Sequence, residues 1–221
     1  KGWGTCFTCG KHQYEGDSVE KEQEIVETTL DIPLGKVEYL YHPHRNLSRN
    51  VMEYFDVQTK FVDGVPVAVA FKYPNGAMKI RKYDEKKFFT QGPMKDAYLF
   101  GKDKFDPAAF NTITIVEGEY DALALSDVLV KDSAVVSVRN APSGFADCKA
   151  DWNYVNAFKK IVLCLDNDEP GQKASRQIAA LFDFNKVFKV TLNRHKDANA
   201  YVEAKEYHEL REAWKAAKRY T

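Results

Sequence analysis

Two different patterns of apolar and polar residues divide the chain into an N-terminal and a C-terminal part. In the first part apolar and polar positions alternate, which predicts a strand at 65–73 and a return strand at 77–81. Pro74–Gly76 lies between them and has the composition of a hairpin turn. Ser48 is a good N-cap for a short helix over 49–55. The first part is therefore predicted to be a short helix followed by antiparallel strands.

The second part contains short, continuous apolar runs separated by longer, more polar stretches. The apolar runs predict buried strands at 112–116, 134–138, 161–165 and 187–192. The stretches between them predict helices at 120–130, 151–158 and 171–182, and a terminal helix is predicted over 203–219. Strands that alternate with helices are typical of a parallel sheet with right-handed crossovers. The predicted fold class is an α+β N-terminal subdomain followed by an α/β domain with a mainly parallel, four-stranded sheet.

Three of these four strands end in carboxylates. Glu117 follows the first strand, Asp166 and Asp168 follow the third, and Asp197 follows the fourth. Because ligands bind outside the carboxyl ends of strands in such sheets, we expect these four side chains to converge there. Helix capping, the simpler explanation, does not require acids from three strands to lie together. Crowded carboxylates repel one another, so a divalent cation would stabilise them, and an oxygen-only ligand set favours Mg²⁺ or Mn²⁺.

The residues around these acids resemble the Toprim family. Glu-Gly-Glu-Tyr-Asp at 117–121 matches its E-G-x-x-D motif, and Asp-Asn-Asp-Glu-Pro-Gly at 166–171 matches its D-x-D-x-x-G motif. The segments 96–101, 171–174 and 196–199 further resemble the DnaG-type primase half of the bifunctional primase–helicases of short-tailed bacteriophages. This resemblance covers essentially the whole chain in the same order, so the second part is expected to be a Toprim catalytic domain.

The resemblance implies a DNA primase, which makes short RNA primers from NTPs on single-stranded DNA. Carried over by position, Glu117, Asp166 and Asp168 are the catalytic acids, and together with Asp121 and Asp197 they form the Mg²⁺ or Mn²⁺ site. The partners it implies are single-stranded DNA, NTPs, the RNA primer and a helicase domain of the same polypeptide or replisome. Two alternatives stay open: a non-catalytic module of a replicative helicase that binds single-stranded DNA, and a Toprim nuclease or topoisomerase.

The charge balance first argues against a protein that binds nucleic acid, because 32 Lys+Arg face 32 Asp+Glu in the 221 residues. Residues 72–104, however, hold nine cations and four acids with aromatic residues interleaved, which suits phosphate contacts and base stacking. For any single lysine, a solvated strand face is an equally good explanation. By the family resemblance, Lys79, Arg81 and Lys86 contact nucleotide or template. Lys87 and Lys102, from the same basic segment, are also predicted to bind nucleotide or DNA.

Cys6 and Cys9 form a C-x-x-C motif that is typical of a zinc knuckle and, less often, of a redox pair. A structural zinc ion needs four ligands, and His12 is a poor third. The segment resembles the end of the zinc ribbon that precedes the primase half of the family. We therefore expect residues 1–12 to be a ribbon remnant, with Zn²⁺ as a cofactor only where the ribbon is complete.

The remaining boundaries follow from composition and from the resemblance. Residues 13–29 are polar and predict a linker, 30–107 an N-terminal basic subdomain, 108–200 the Toprim domain, and 201–221 a C-terminal helix that leads toward a helicase domain. No apolar run approaches the roughly 20 residues of a membrane span, and no signal peptide is visible. We expect a cytoplasmic monomer (in the host cytoplasm if the protein is viral) with no membrane partner.

Overall fold

The computed structural model describes residues 37–83 and 87–220. The predictions for Cys6, Cys9, Lys86 and the linker at 13–29 lie outside these residues. All of these described residues belong to one compact unit.

The first sheet is antiparallel, and each strand pairs with its neighbours in sequence. Its five strands are β1 (Val37–Leu40), β2 (Gln58–Val62), β3 (Val65–Lys72), β4 (Met78–Lys82) and β5 (Phe88–Gln91). Helix α1 (Arg49–Tyr54) lies between β1 and β2, and the Ser48 hydroxyl caps it by accepting a hydrogen bond from the amide of Val51 at 3.2 Å. The predicted cap, helix and hairpin are all present.

The second sheet has five strands in the order β10-β9-β8-β6-β7, so the predicted number of four is wrong. The strands are β6 (Thr112–Val116), β7 (Ala134–Ser137), β8 (Lys160–Cys164), β9 (Val187–Lys189) and β10 (Lys218–Arg219). The first four pair in parallel, as predicted, and β10 adds an antiparallel strand at the edge. A strand of two exposed cations has no apolar pattern, which explains why the sequence did not indicate it.

Six helices among the described residues accompany this sheet. They are α2 (Glu119–Leu129), α3 (Gly144–Ala150), α4 (Trp152–Asn156), α5 (Glu169–Ala179), α6 (Ala198–Glu203) and α7 (Tyr207–Lys215). Helices α2, α6 and α7 contact one another, and α3 packs against α5. Within the part of the chain that the structure describes, no helix has the length and apolar character needed to cross a bilayer.

The single helix predicted over 203–219 is instead two helices and a strand. Lys205 has a φ of 61° and ends α6, and the amide of Glu206 turns back to the carbonyl oxygen of Tyr201 at 2.8 Å. The left-handed residue redirects the chain, so α7 starts in a new direction. Its indole at Trp214 then reaches the Thr114 hydroxyl on β6 at 2.9 Å.

A buried aromatic cluster joins the two sheets. The ring of Phe100, from the segment between them, stacks on Phe55 of the first half at 5.4 Å and lies edge-on to Phe71 of β3 at 5.9 Å. Phe71 in turn meets Tyr120 at the start of α2, with ring centroids 4.9 Å apart. Gly101 has a φ of 80°, and a Cβ there would lie 2.5 Å from the Phe55 ring, so glycine allows this close approach.

The linking segment also pairs with the edge strand β7. The amide of Phe100 donates to the carbonyl oxygen of Ser137 at 2.9 Å, and the amide of Ser137 donates back to Phe100 at 3.2 Å. This bridge covers part of an edge that a parallel sheet would otherwise leave open.

The buried hydroxyl of Thr114 supplies the first testable prediction. It accepts from the Trp214 indole and lies 2.8 Å from the Ser133 hydroxyl. Thr114→Val keeps the shape but leaves the buried indole N–H without an acceptor, which should lower the free energy of unfolding by about 1–3 kcal/mol. Urea denaturation measures this loss. The control Thr112→Val, on the same strand but partly exposed, should change stability by less than about 0.5 kcal/mol, and an equal loss in both variants would contradict the assignment.

Candidate functional site

The parallel register brings the acidic strand ends to one edge of the second sheet. Val116, the last residue of β6, pairs with Cys164, the last residue of β8. Glu117 therefore emerges beside the segment that carries Asp166 and Asp168. The backbone of Asp166 lies near enough to the Glu117 carboxylate to act against the rise in its pKa, so the two segments are neighbours.

Glu117 has the most unusual environment of these acids. Its Oε2 is buried and has no hydrogen-bond partner among the described residues. Burial, followed by the charges of Asp166 and Asp168, raises the pKa of Glu117 to about 7. An unpartnered buried acceptor next to like charges is a position where a cation would be stabilising.

Lys196 supplies a cation from the protein itself. Its Nζ lies 3.2 Å from Oδ2 of Asp166 and 3.8 Å from Oδ2 of Asp197. Burial raises the pKa of Asp166, while the bond to Lys196 opposes that rise. The Lys196 side chain is 68% exposed, so its ammonium group is free to move into solvent when another cation takes its place.

The spacing of the D-x-D-x-x-G motif has a direct structural reason. Asp168 caps α5, because its Oδ1 accepts from the amide of Gly171 at 3.0 Å. A Cβ on Gly171 would lie 2.3 Å from the carbonyl oxygen of Asp166, so no larger residue fits against that strand end. The side chain of Gln172 adds a bond to the same carbonyl oxygen at 3.1 Å. The first turn of α5 is thus packed onto the backbone of the acid that precedes it.

Asp121 and Asp197 meet at the start of α6. Asp197 caps the helix, with Oδ1 accepting from the amide of Ala200 at 2.8 Å, and Oδ1 of Asp121 accepts from the amide of Asn199 at 2.9 Å. Burial and the charge of Asp197 raise the pKa of Asp121 well above its usual range. The two amides at the start of α6 partly offset this repulsion.

The residues fit a hard divalent cation better than a soft one. In the described residues, no three His, Cys, Asp or Glu side chains form a ready-made ligand sphere. The donors at the strand ends are nevertheless all carboxylate oxygens, one of them unpartnered, and their repulsion is only partly offset by one exposed lysine. Carboxylate oxygens are the ligands that Mg²⁺ and Mn²⁺ prefer.

The structure places Lys79 in a buried ion pair. Its Nζ lies 2.9 Å from Oε1 of Glu119 and 2.8 Å from the carbonyl oxygen of Arg139, and Glu119 also accepts from the Tyr73 hydroxyl. Glu119, the second glutamate of the E-G-x-x-D motif, is only 3% exposed. From the sequence, Glu119 would be no more than a favourable residue at a helix start, because its partner lies forty positions away in the chain.

The other predicted cations differ in their surroundings. Arg81 lies over the rings of Tyr120 and Phe88, with its Cζ 5.5 Å and 5.2 Å from their centroids. Lys102 donates to Oδ1 of Asp151 at 2.6 Å, and Lys87 is exposed at the start of β5. Arg81 thus contacts the residue that directly precedes Asp121.

Sequence reasoning missed the roles of three polar residues at this edge. Lys196 lies between two acids, Asn199 bonds Asp121, and Arg45 reaches across from the first half to the Asn199 side chain. Lys196 and Asn199 are part of the Lys-Asp-Ala-Asn segment, so their position beside Asp197 was an available signal. Arg45 lies 154 positions from Asn199, and no local pattern marks it.

The comparisons with known proteins agree with this architecture. A Toprim-like family model matches residues 114–202. A primase homolog protein of Arabidopsis thaliana is 30% identical over 236 aligned residues, covering 94% of this chain and 69% of that protein. The chloroplastic/mitochondrial Twinkle homolog protein of the same plant is 31% identical over 220 residues, covering 89% of this chain and 31% of that protein. This chain thus spans less than a third of the Twinkle homolog's length.

Among solved structures, the primase fragment of the bacteriophage T7 primase–helicase protein matches with a TM-score of 0.70 and 27% identity, covering 81% of this chain and 75% of that one. The described residues combine an antiparallel sheet with a Toprim-like sheet whose strands are followed by acids, and this defines the class as a primase-like Toprim protein. The chain belongs to the family of primase homologues with a Toprim-like domain and is similar to the primase fragment of the phage T7 primase–helicase.

The buried pair of Lys79 and Glu119 predicts a large loss of stability when it is broken. Lys79→Met leaves a buried carboxylate without its cation, which should lower the free energy of unfolding by about 3–5 kcal/mol. Denaturant titration without added metal measures it. The matched control is Lys72→Met, an exposed lysine on the neighbouring strand β3. A comparable loss in the control, or none in Lys79→Met, would show that the pair does not hold the halves together.

The raised pKa of Glu117 predicts a pH-dependent response to metal. The unfolded carboxyl loses its proton near pH 4.5 and the folded one near pH 7, so the metal-free fold loses stability as the pH rises through this window. Mg²⁺ or Mn²⁺ binds the ionised form and should raise the melting temperature more at pH 8 than at pH 5.5. Thermal unfolding at both pH values measures the gain.

Glu117→Gln should reduce both the pH dependence and the gain from metal, whereas the control Glu203→Gln, an exposed carboxylate on α6, should change neither. The same metal-induced gain at both pH values would argue against binding at these carboxylates.

Proposed function

We propose that this chain is the RNA-polymerase part of a DNA primase and joins NTPs into short RNA primers on a single-stranded DNA template. The observation that carries the proposal is the buried, unpartnered oxygen of Glu117 beside Asp166 and Asp168 at the ends of parallel strands. Two kinds of likeness support it, since the primase homolog protein of Arabidopsis thaliana is similar in sequence and the T7 primase fragment is similar in fold.

Glu117, Asp166 and Asp168 would hold Mg²⁺ or Mn²⁺, with Asp121 and Asp197 supporting them. The bound cation would supply Lewis-acid chemistry, lowering the pKa of the primer 3′-hydroxyl and neutralising developing charge on the phosphates. Lys196 keeps two of the acids paired before metal binds. Tying Asp168 to Gly171 and Asp197 to Ala200 limits the movement of the carboxylates, which keeps the site preorganised.

For nucleotide and template contacts we propose Arg81, Lys86 and Lys87. Arg81 lies on an aromatic surface next to Tyr120, where its guanidinium group can donate hydrogen bonds to a phosphate. Lys79 and Lys102 add positive potential to the same half of the chain, but their ammonium groups are already bonded to Glu119 and Asp151. Substitution of Lys79 or Lys102 is therefore expected to lower the stability of the fold before it affects nucleotide binding.

The partners and the setting are proposals of the same kind. We propose that a helicase in the same polypeptide or replisome acts with this part, and that Zn²⁺ is required only with a complete ribbon around Cys6 and Cys9. The division into a ribbon remnant, linker, basic subdomain and Toprim domain, and action in the cytoplasm, belong to this proposal.

A primer-synthesis assay tests the function. The chain is incubated with single-stranded DNA, labelled NTPs and Mg²⁺ or Mn²⁺, with a dinucleotide starter so that extension is measured separately from initiation. We expect short RNA products that need divalent metal and that fall by at least about 100-fold in Glu117→Gln and Asp166→Asn, because ligands of the reacting cation are lost. The matched control Glu203→Gln should retain full synthesis.

Three results would overturn the proposal or the site assigned to it. Tight binding of single-stranded DNA without any RNA product would make the chain a non-catalytic module of a helicase. Nicked or degraded DNA that depends on the same acids would make it a Toprim nuclease. Products that persist in Glu117→Gln would show that the proposed site is not the reacting one.

A further inference from the structure

The turn before α1 has an unusual backbone. Arg45 and Asn46 both have φ in the left-handed region, at 52° and 54°. Two consecutive residues other than glycine adopt this conformation only when surrounding contacts compensate for it. Here both side chains reach α6: Asn46 Nδ2 donates to the carbonyl oxygen of Glu203 at 2.9 Å, and Arg45 Nη1 donates to Oδ1 of Asn199 at 2.8 Å.

The guanidinium group of Arg45 touches two of the segments that carry the acids. Its Cζ lies 4.3 Å from the centroid of the Tyr120 ring, next to Asp121 in the chain. Its Nη1 bonds Asn199, which is two residues after Asp197. A residue from the first half of the chain thus bridges helices α2 and α6, which follow β6 and β9 on either side of β8.

Asn199 passes this contact on to Asp121. Its amide donates to Oδ1 of Asp121 at 2.9 Å, while its side chain, only 2% exposed, accepts from Arg45. Its Nδ2 has no partner among the described residues, so Arg45 supplies the side-chain bond seen in the structure. If Arg45 is removed, the Asn199 side chain loses that bond. The backbone amide of Asn199, which donates to Asp121, is then held less firmly in position.

The contact lies where acidic side chains from two different segments are close to each other. Asp121 and Asp197 are like-charged neighbours, and they lie on segments that belong to different strand ends. Helix α6 has six residues, too few to be rigid alone, so its place depends on contacts from outside.

We propose that Arg45 and Asn199 form a positioning pair, which holds the Asp197 segment against Asp121 and so sets the spacing of carboxylates for the divalent cation. The proposal rests on the proposed function, because it concerns the same cation site. Neither residue is a catalytic residue, since both act through Asp121 and Asp197.

The test measures metal binding apart from activity. Mn²⁺ binding is followed by electron paramagnetic resonance, without DNA or NTPs, for the full chain and for Arg45→Ala, Asn199→Ala and the double variant. Residues that orient ligands typically change metal affinity by about 10- to 100-fold, so each single variant should weaken Mn²⁺ binding by that factor. The double variant should be within about twofold of either single one, since the two residues act as a unit.

Two further variants separate positioning from charge. Arg49→Ala removes an exposed arginine of α1 and should leave Mn²⁺ binding unchanged. Arg45→Lys keeps the charge and one donor, and should recover part of the affinity. Thermal unfolding is recorded for all variants. If Asn199→Ala does not fold, Arg45→Ala and Arg45→Lys decide the question.

The outcomes distinguish this proposal from the primase assignment. Unchanged Mn²⁺ affinity with a raised KM for NTPs in Arg45→Ala alone would overturn it, because Arg45 would then bind phosphate directly. If the wild-type chain makes primers and the variants bind Mn²⁺ normally, the positioning pair is wrong and the primase function stands. If the wild-type chain binds Mn²⁺ but makes no primers, and the variants bind Mn²⁺ more weakly, the positioning pair stands and the primase function is wrong. Wild-type chain that binds no Mn²⁺ overturns the positioning pair.

Discussion

Mutual repulsion of carboxylates is the constraint on which this structure depends. A parallel sheet brings the ends of β6 and β8, with their acids, to one edge, and the segment after β9 adds Asp197 at the start of α6. The protein offsets the repulsion with local devices: Asp168 and Asp197 are bound to the first turns of α5 and α6, and Lys196 lies between two carboxylates. These devices leave Glu117 with an unpartnered oxygen, so the compensation is incomplete where a cation would bind.

The first half of the chain belongs to the site through contacts rather than through ligands. Lys79 neutralises Glu119 inside the E-G-x-x-D motif, and Arg45 reaches Asn199 beside the last acid. The aromatic cluster around Phe100 holds the two sheets together, so Lys79 and Arg45 stay within reach of Glu119 and Asn199. A mutation in the antiparallel sheet can therefore affect chemistry at the parallel one without touching a nucleotide.

The sequence predicted what local patterns encode. Strand β6 occupies 112–116 as expected, and the acids lie at strand ends because apolar runs stop where the motifs begin. It did not indicate the strand at 218–219, whose pairing depends on a neighbour and not on its own composition. The partner of Lys79 was also hidden. A basic residue on a strand has the same pattern whether it binds phosphate or a buried glutamate forty positions away.

The two-way bridge between Phe100 and Ser137 has a consequence for how the molecule comes apart. Separating the halves would break backbone bonds of the second sheet itself and expose the edge of β7, as well as the faces of the aromatic rings. The two sheets therefore cannot separate without loss of the contacts at the β7 edge and in the aromatic cluster. Unfolding should accordingly be cooperative across residues 37–220, and the amides of β7 should exchange with solvent at the same rate-limiting opening as those of the antiparallel sheet.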